Sequence, residues 1–144
     1  MAYNETYKTN PEPAFEGQVA DMTNSVIVSR TVEAAIGFGK PVARGTGANK
    51  VRAVTTGDTE INGFTVRSQA TEAGSANQYP AGDTAGIMRK GPIWLKVGEA
   101  VAAGDPVKVV VATSLIGKTN GVAVAGASFE TSAAVGELAK VLII

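Results

Sequence analysis

Apolar residues recur at every second position in two rows between Gly86 and Ala112. The first row runs from Ile93 to Val97, with Trp94 on the opposite face, and the second runs from Val107 to Val111. Period two is the signature of a β-strand, because successive side chains point to opposite faces. Glycine and proline between the rows favour a turn. The pattern therefore predicts two strands joined by a short arm and a tight turn, with Trp94 in or against the core.

Shorter runs with strand character occur on both sides of this segment. Thr31 to Ile36 fits either one helical turn or a further strand. About nine short strands with regularly spaced turn signals predict a β-sandwich or β-barrel. The expected fold class is all-β, a β-barrel or jelly-roll-like sandwich of short strands with an extended N-terminal arm. The other predicted strands are Ser25–Arg30, Lys50–Val54, Ile61–Ser68, Ser114–Ile116 and Val122–Gly126.

The last seven residues, from Leu138 to Ile144, are apolar on both faces of an extended segment. A strand that is apolar on both sides is normally buried on both sides, yet a chain terminus is seldom placed so deeply. Two interpretations stay open: the strand is central to a sandwich, or its outer face meets another subunit. In the second case Leu142 and Ile144 are candidate contact residues.

Residues 1–16 are polar and contain Asn10-Pro11-Glu12-Pro13, which bars a helix and favours an extended path. Fully extended, this segment reaches on the order of 50 Å, whereas the body should have a radius of gyration of about 15 Å. We therefore divide the chain into an arm, 1–16, and a single all-β domain, 17–144. A frayed terminus is the alternative, but Tyr3, Tyr7 and Phe15 favour an arm anchored on a sister subunit or a partner protein.

The stretch from Glu72 to Ala85 is poor in large apolar residues and predicts an exposed loop. Long loops in compact domains are usually functional or mobile. Tyr79, beside Pro80, is its candidate contact residue, and a solvated loop without a partner is the alternative.

Charge and composition narrow the function classes. Thirteen basic and thirteen acidic residues cancel, whereas a nucleic-acid binder usually carries a basic surplus. The chain has no cysteine and no histidine, which removes thiolate nucleophiles and the commonest general base and metal ligand. No secretory signal opens it, and its apolar runs are too short to span a bilayer. We expect no nucleic acid and no membrane as partners.

No motif indicates catalysis or cofactor binding. Gly39-Lys40 is followed by Pro41, which lacks the hydroxyl of a Walker loop. No Gly-x-Ser-x-Gly or calcium-loop pattern occurs. Most carboxylates lie beside turns, where they are commonly solvated. The sequence therefore predicts no enzyme, with no catalytic, cofactor-binding or metal residues.

Three stretches carry a family resemblance: Glu16–Asp21, Ile36–Gly45, and Gly126–Ala133 leading into the hydrophobic last strand. Together with Gly-Pro-Ile-Trp-Leu-Lys-Val and Gly-Asp-Pro-Val, they resemble the small capsid cement (decoration) proteins of tailed bacteriophages. The resemblance implies a subunit that binds the outer face of an expanded head as a dimer or trimer and braces neighbouring major capsid proteins. The protein would be made in the bacterial host cytoplasm and reside in the virion.

Two alternatives stay open. One is another phage structural role, in a tail or baseplate. The other is a biotinyl or lipoyl carrier domain, whose hairpin turns resemble Val97–Val107. That class needs a modified lysine at an exposed hairpin tip, and Lys90 in Met88-Arg89-Lys90-Gly91 is the nearest candidate.

Overall fold

A computed structural model describes residues 15–20, 25–67 and 78–144. Within these ranges the regular structure consists of strands, and no helix there could cross a membrane. A two-stranded sheet pairs β2 with β6, and the other nine strands form one sheet. The strands are β1 (Val26–Val32), β2 (Ile36–Gly37), β3 (Pro41–Arg44), β4 (Lys50–Ala53), β5 (Gly63–Thr65), β6 (Gln78–Tyr79), β7 (Thr84–Lys96), β8 (Pro106–Val110), β9 (Leu115–Gly117), β10 (Val122–Phe129) and β11 (Leu138–Ile143).

The N-terminal half of β7 closes a five-stranded ring. The strand order is β1-β4-β3-β5-β7, and β1 also pairs with β7. The β1–β4 pairing is parallel, and the other pairings of this ring are antiparallel. Closure gives each of these strands a neighbour on both edges, which removes the usual template for unwanted strand addition. We call this unit the first ring.

The C-terminal half of β7 belongs to a second set of strands in the order β7-β11-β10-β8-β9. This set also curls back on β7, because Val97 forms a parallel bridge with Ile116 and the Gly98 N–H donates to the Ile116 carbonyl over 2.8 Å. The two halves of β7 meet at Gly91, whose φ is +118°. A Cβ there would lie 2.7 Å from Ser25 Oγ, so glycine allows the close approach of the chain at this point.

Two groups of apolar side chains follow from this arrangement. Ala85 and Ile87 point into the first ring with Val32, Val42 and Val51. Met88, on the opposite face of β7, joins a larger cluster that continues through the alternating residues Ile93, Leu95 and Val97. One strand thus contributes to both cores, since alternate residues face opposite sides of a sheet. The two strands predicted within Gly86–Ala112 are confirmed as β7 and β8, which lie in the same sheet without pairing with each other.

Several local predictions need adjustment. Trp94 is half-buried on the outer face of β7, opposite Lys140, rather than inside the core. Thr31 and Val32 extend β1, and Ile36 begins β2, so this region is strand and not a helical turn. The predicted 72–85 loop is shorter, because Gln78–Tyr79 is a strand and β7 begins at Thr84. Residues 1–14, most of the predicted arm, and residues 68–77 lie outside the described ranges.

The last strand occupies an interior position in the sheet. Leu138–Ile143 pairs with β7 on one edge and with β10 on the other. Its Ala139, Val141 and Ile143 are buried, whereas Leu138 and Leu142 on the other face are half-buried. The inner face of this strand therefore lies in the core, whereas contact of its half-buried outer face with another subunit stays a prediction.

Candidate partner-binding surface

Asp58 holds a turn and is not poised for proton transfer. Both of its carboxylate oxygens accept hydrogen bonds from the Arg52 guanidinium, over 2.8 and 2.9 Å, and the Thr55 N–H donates to it over 2.7 Å. These contacts, the arginine first, hold the pKa of Asp58 far below its usual range. A general acid at neutral pH needs the opposite, a raised pKa.

Glu99 has the same kind of role at the second set of strands. It accepts hydrogen bonds from the backbone N–H of Lys118 and, over 2.8 Å, from that of Thr119. These donors, together with the Thr119 hydroxyl, lower the pKa of Glu99. Within the described ranges, no three potential His, Cys, Asp or Glu ligands lie close enough together to hold a metal ion. Asp58 and Glu99 thus hold turns by accepting hydrogen bonds.

The more informative features are exposed apolar side chains. Ile144, at the C-terminus, is 79% exposed, Val135 is 67% exposed in the turn before β11, and Phe15 is 62% exposed at the start of the described chain. Single exposed apolar residues are common, so each needs its surroundings to be informative. The five large exposed apolar residues among those described are Phe15, Val26, Ile27, Val135 and Ile144.

Ile144 is held in place by the backbone of β10. Its N–H donates to the Gly126 carbonyl over 2.9 Å. Gly126 has a φ of +77°, and a Cβ there would lie 2.6 Å from the Ile144 carbonyl oxygen. Glycine is therefore required both for the left-handed conformation and for the close approach of the terminus. The exposed side chain is consequently presented from a fixed backbone.

Gly126→Ala should release this terminus. The matched control is Gly136→Ala, since Gly136 has a φ of +83° but no atom lies within 4 Å of the position that its Cβ would take. Both variants carry the left-handed strain of about 1–2 kcal/mol, and only Gly126→Ala adds the loss of a hydrogen bond worth about 1 kcal/mol. Urea unfolding should show the larger destabilisation for Gly126→Ala, with faster exchange of the Ile144 amide proton. Equal exchange in the two variants would contradict the role of Gly126.

A groove lies beside Ile144, between the first ring and the C-terminal strand. Its volume is about 340 Å³. Ile61, Val124 and Ile143 contribute apolar surface, and all three pack in or against the larger core cluster. Arg89 also lines the groove, so the apolar surface adjoins a positive charge. A mixed lining of apolar and charged residues occurs in many protein–protein interfaces.

Phe15 lies at a different place, stacked on Arg67. The Arg67 guanidinium is 5.0 Å from the ring centroid of Phe15 and 5.0 Å from that of Phe38. Its Nε–H donates to the Glu16 carbonyl over 3.1 Å, and the Glu16 carboxylate pairs with Lys40 over 2.9 Å. Cation–π contacts at exposed sites are worth about 0.5–1 kcal/mol. The root of the arm is therefore fixed to the first ring.

The remaining predicted contact residues are placed differently. Tyr79 is only 5% exposed and packs edge-on against Phe38, with ring centroids 5.1 Å apart. Its hydroxyl donates to the Val66 carbonyl. A buried side chain offers no surface to a partner, so Tyr79 serves the core of the first ring. Leu142 is half-buried and lies opposite Pro92 of β7 and Ser128 of β10. Tyr3 and Tyr7 lie outside the described residues.

Sequence reasoning missed the walls of the groove. Ile61 precedes β5, Val124 lies in β10, and Arg89 lies in β7, so the groove forms only when distant strands meet. Local alternation marks Val124 as one ordinary residue of a half-exposed strand. No local signal in the sequence joins these positions.

The structure also rules out the carrier-domain interpretation. Lys90 lies within a strand, where it pairs with Val26 of β1, and not at a hairpin tip. Its neighbour Met88 is fully buried. A lysine in that position cannot swing freely between active sites, so this alternative was wrong.

An all-β subunit in which Asp58 and Glu99 accept hydrogen bonds that hold turns, and which presents the exposed Ile144 from a fixed backbone beside a groove, belongs to the class of structural or binding modules. Residues 3–144 match the family described as structural cement protein (E217 gp24/Pam3 gp6). The chain belongs to this phage cement family, and its role is that of a structural cement protein. The resemblance seen in the sequence is confirmed, and a tail or baseplate role is not supported.

Solved structures show the same fold in other phage particles. A chain in the capsid of Myoviridae phage XM1 is 18% identical, with a TM-score of 0.77 and coverage of 99% of this chain and 98% of that one. The N base of the head fibre gp8.5 of bacteriophage phi29 is 11% identical, with a TM-score of 0.50 and coverage of 84% and 95%. A comparison with curated protein sequences finds no match.

Proposed function

We propose that the protein binds the outer surface of a bacteriophage head as a symmetric dimer or trimer and braces neighbouring major capsid proteins. The observation that carries this proposal is Ile144, which is 79% exposed and fixed by Gly126 beside a groove of mixed apolar and polar lining. A brace gains affinity from side chains that are already ordered before binding, because less conformational entropy is lost. Many copies on one shell multiply a modest affinity.

The partners and the place of action follow from the same proposal. The partners are the major capsid protein and further copies of this chain, and the protein acts in the virion after synthesis in the host cytoplasm. The balance of thirteen basic and thirteen acidic residues supports a protein surface as partner rather than nucleic acid or membrane. The lowered pKa values of Asp58 and Glu99 support a non-catalytic role.

Capsid binding by Ile144→Asp tests this function. Expanded heads lacking the protein would be incubated with each variant, and the bound copies would be counted after sedimentation. Burying an unpaired charge in an apolar contact costs enough to lower occupancy by about tenfold or more.

Val135→Asp is the matched control, since Val135 is 67% exposed but lies in the turn before β11, away from the groove. We expect its occupancy to stay within about twofold of the parent, as for surface substitutions in general. Full binding by Ile144→Asp, or equal losses in the two variants, would contradict the terminal surface as the contact. Failure of the parent protein to bind any head would contradict the function itself.

A further inference from the structure

The first ring has a strongly basic mouth. A cavity of about 200 Å³ is lined by the cationic residues Arg30, Arg44, Lys50 and Arg89, with Glu60 as the one acid of its lining. Three of these cations continue inward-facing rows of the ring core. Arg44 is two residues after Val42, Arg89 two after Ile87, and Arg30 two before Val32. Since alternate residues share a face, the strands direct these arginines toward the mouth.

Three of the four cations at the mouth form no ion pair of the kind that other cations of the chain have. Hydrogen bonds from Thr46 lower the pKa of the Glu33 carboxyl, and Lys50 lies near enough to Glu33 to help lower it. Lys40 pairs with Glu16 and Arg52 pairs with Asp58. By contrast, Arg44, Lys50 and Arg89 form no ion pair with any described residue. Like charges around one cavity repel one another, and guanidinium groups bind carboxylates in a bidentate manner. The mouth is therefore suited to a carboxylate brought by a partner.

The basic mouth and the groove beside Ile144 are adjacent parts of one surface. Glu60, Asn62 and Arg89 line both. Asn62 Oδ1 is buried and, among the described residues, is the one such side-chain atom without a hydrogen-bond partner. A buried acceptor without a donor is costly, so this atom also favours a ligand that brings an N–H or O–H group. A ligand that suits this surface therefore has a carboxylate next to an apolar group with a hydrogen-bond donor.

We propose that the N-terminal arm of a second copy of this chain occupies this surface. In an extended chain Tyr3, Glu5 and Tyr7 share one face, with neighbours on that face about 6–7 Å apart. The Glu5 carboxylate enters the basic mouth, and one tyrosine ring lies at the border that the mouth shares with the groove, with its hydroxyl donating toward Asn62. The arm leaves Ile144 to the capsid contact. Tyrosine suits such a place because its ring is apolar and its hydroxyl needs a partner. This inference rests on the proposed symmetric oligomer.

The root of the arm favours a second copy over the same subunit. Phe15 stacks with Arg67 beside Phe38, next to the end of the ring where the Gly39 N–H donates to the Thr65 carbonyl. Along the β3–β5 register, Pro41 pairs with Phe64 and Val42 with Gly63, so Arg44 lies toward the opposite end. To occupy the mouth of its own subunit, the arm would have to run along the ring from the Phe15 end to the Arg44 end, which binding to a neighbour does not require.

Cysteine cross-linking of the full-length chain tests the proposal, because the native sequence has no cysteine. One preparation carries Thr6→Cys, next to Glu5, and the other carries Ala48→Cys, an exposed, uncharged lining residue of the mouth. Mixing them under mild oxidation should give a covalent heterodimer. Ala134→Cys, another exposed turn alanine, replaces Ala48→Cys in the control and should give at least about tenfold less heterodimer under the same conditions.

Charge-reversal variants distinguish specific binding of the arm to the basic mouth from random collision of the two cysteines. Adding Arg44→Glu and Arg89→Glu to the Ala48→Cys chain should lower the heterodimer yield about tenfold, and Glu5→Lys in the arm should restore part of it. Equal yields for Ala48→Cys and Ala134→Cys would overturn the proposal. A third preparation carries Thr6→Cys and Ala48→Cys in the same chain. Cross-linking only within single chains of this preparation would place the arm on its own subunit and would also overturn the proposal.

The measurement also separates this inference from the proposed function. If no Thr6→Cys to Ala48→Cys heterodimer forms while Arg44→Glu with Arg89→Glu abolishes binding to heads, the basic mouth receives a carboxylate of the capsid protein, and the arm proposal is overturned. In that case the cement function stands. Failure of the unmodified protein to bind heads is a different result, and it contradicts only the proposed cement function.

Discussion

Phe64→Ala is expected to lower the free energy of unfolding by about 3–5 kcal/mol, the usual range for deleting a buried phenylalanine ring. Phe64 is fully buried in β5, opposite Pro41 of β3 and Met88 of β7. Its ring belongs to the larger cluster, which the second half of β7 shares, so it packs the first ring against the other strands. Urea denaturation followed by tryptophan fluorescence would measure the change, since Trp94 is the single tryptophan.

Phe15→Ala removes the same atoms from an exposed place and is therefore the matched control. Phe15 is 62% exposed and contacts Arg67 by a cation–π interaction, so its loss should cost no more than about 1 kcal/mol. A difference of less than about 1 kcal/mol between the two variants would show that Phe64 does not join the two sets of strands.

Local patterns of apolar and polar residues were sufficient to predict several strands. The rows at Ile93–Val97 and Val107–Val111 alternate because one face of each strand meets the core, and β7 and β8 lie where those rows predict them. The apolar ending was also informative, since it predicts the strand β11, in which Ala139, Val141 and Ile143 are buried. Both signals depend only on neighbours in sequence, which is why they can be read without a structure.

A β-barrel was one of the two expected architectures, but the strands that close it could not be predicted from local patterns. The closure depends on the parallel pairing of β1 with β4 and on the double use of β7, which pairs with β1 and β5 in one half and with β11 in the other. Such pairings join segments far apart in sequence. The same limit explains Tyr79, because a tyrosine beside a proline suggests an exposed loop until β6 is seen to pair with β2.

The basic mouth was hidden for a related reason. Arg30, Arg44 and Arg89 are far apart in a chain whose charges cancel overall, so none of them stands out locally. Their shared property is a position two residues from an inward-facing apolar residue on three strands of one ring. When the ring closes, three arginines from three separate strands come together as one cluster of positive charge. Neither the composition nor the local pattern of residues predicts that cluster.

Gly121→Ala should be among the most destabilising single-methyl substitutions, at about 2–5 kcal/mol from left-handed strain and overpacking together. Gly121 has a φ of +116° in the turn before β10, and a Cβ there would lie 2.0 Å from the Val109 carbonyl oxygen. Backbone atoms cannot rotate away as a side chain can. The methyl group must therefore separate β8 from β10, where Val122 pairs with Val109.

Gly57→Ala isolates the cause of that effect. Gly57 has a φ of +102°, yet no atom lies within 4 Å of the position that its Cβ would take. Both variants carry strain from a positive φ, so the excess destabilisation of Gly121→Ala over Gly57→Ala in urea unfolding measures the steric clash alone. Similar values for the two would mean that β8 and β10 can move apart at little cost. In that case the second set of strands would be a soft part of the subunit and a poor brace for a capsid.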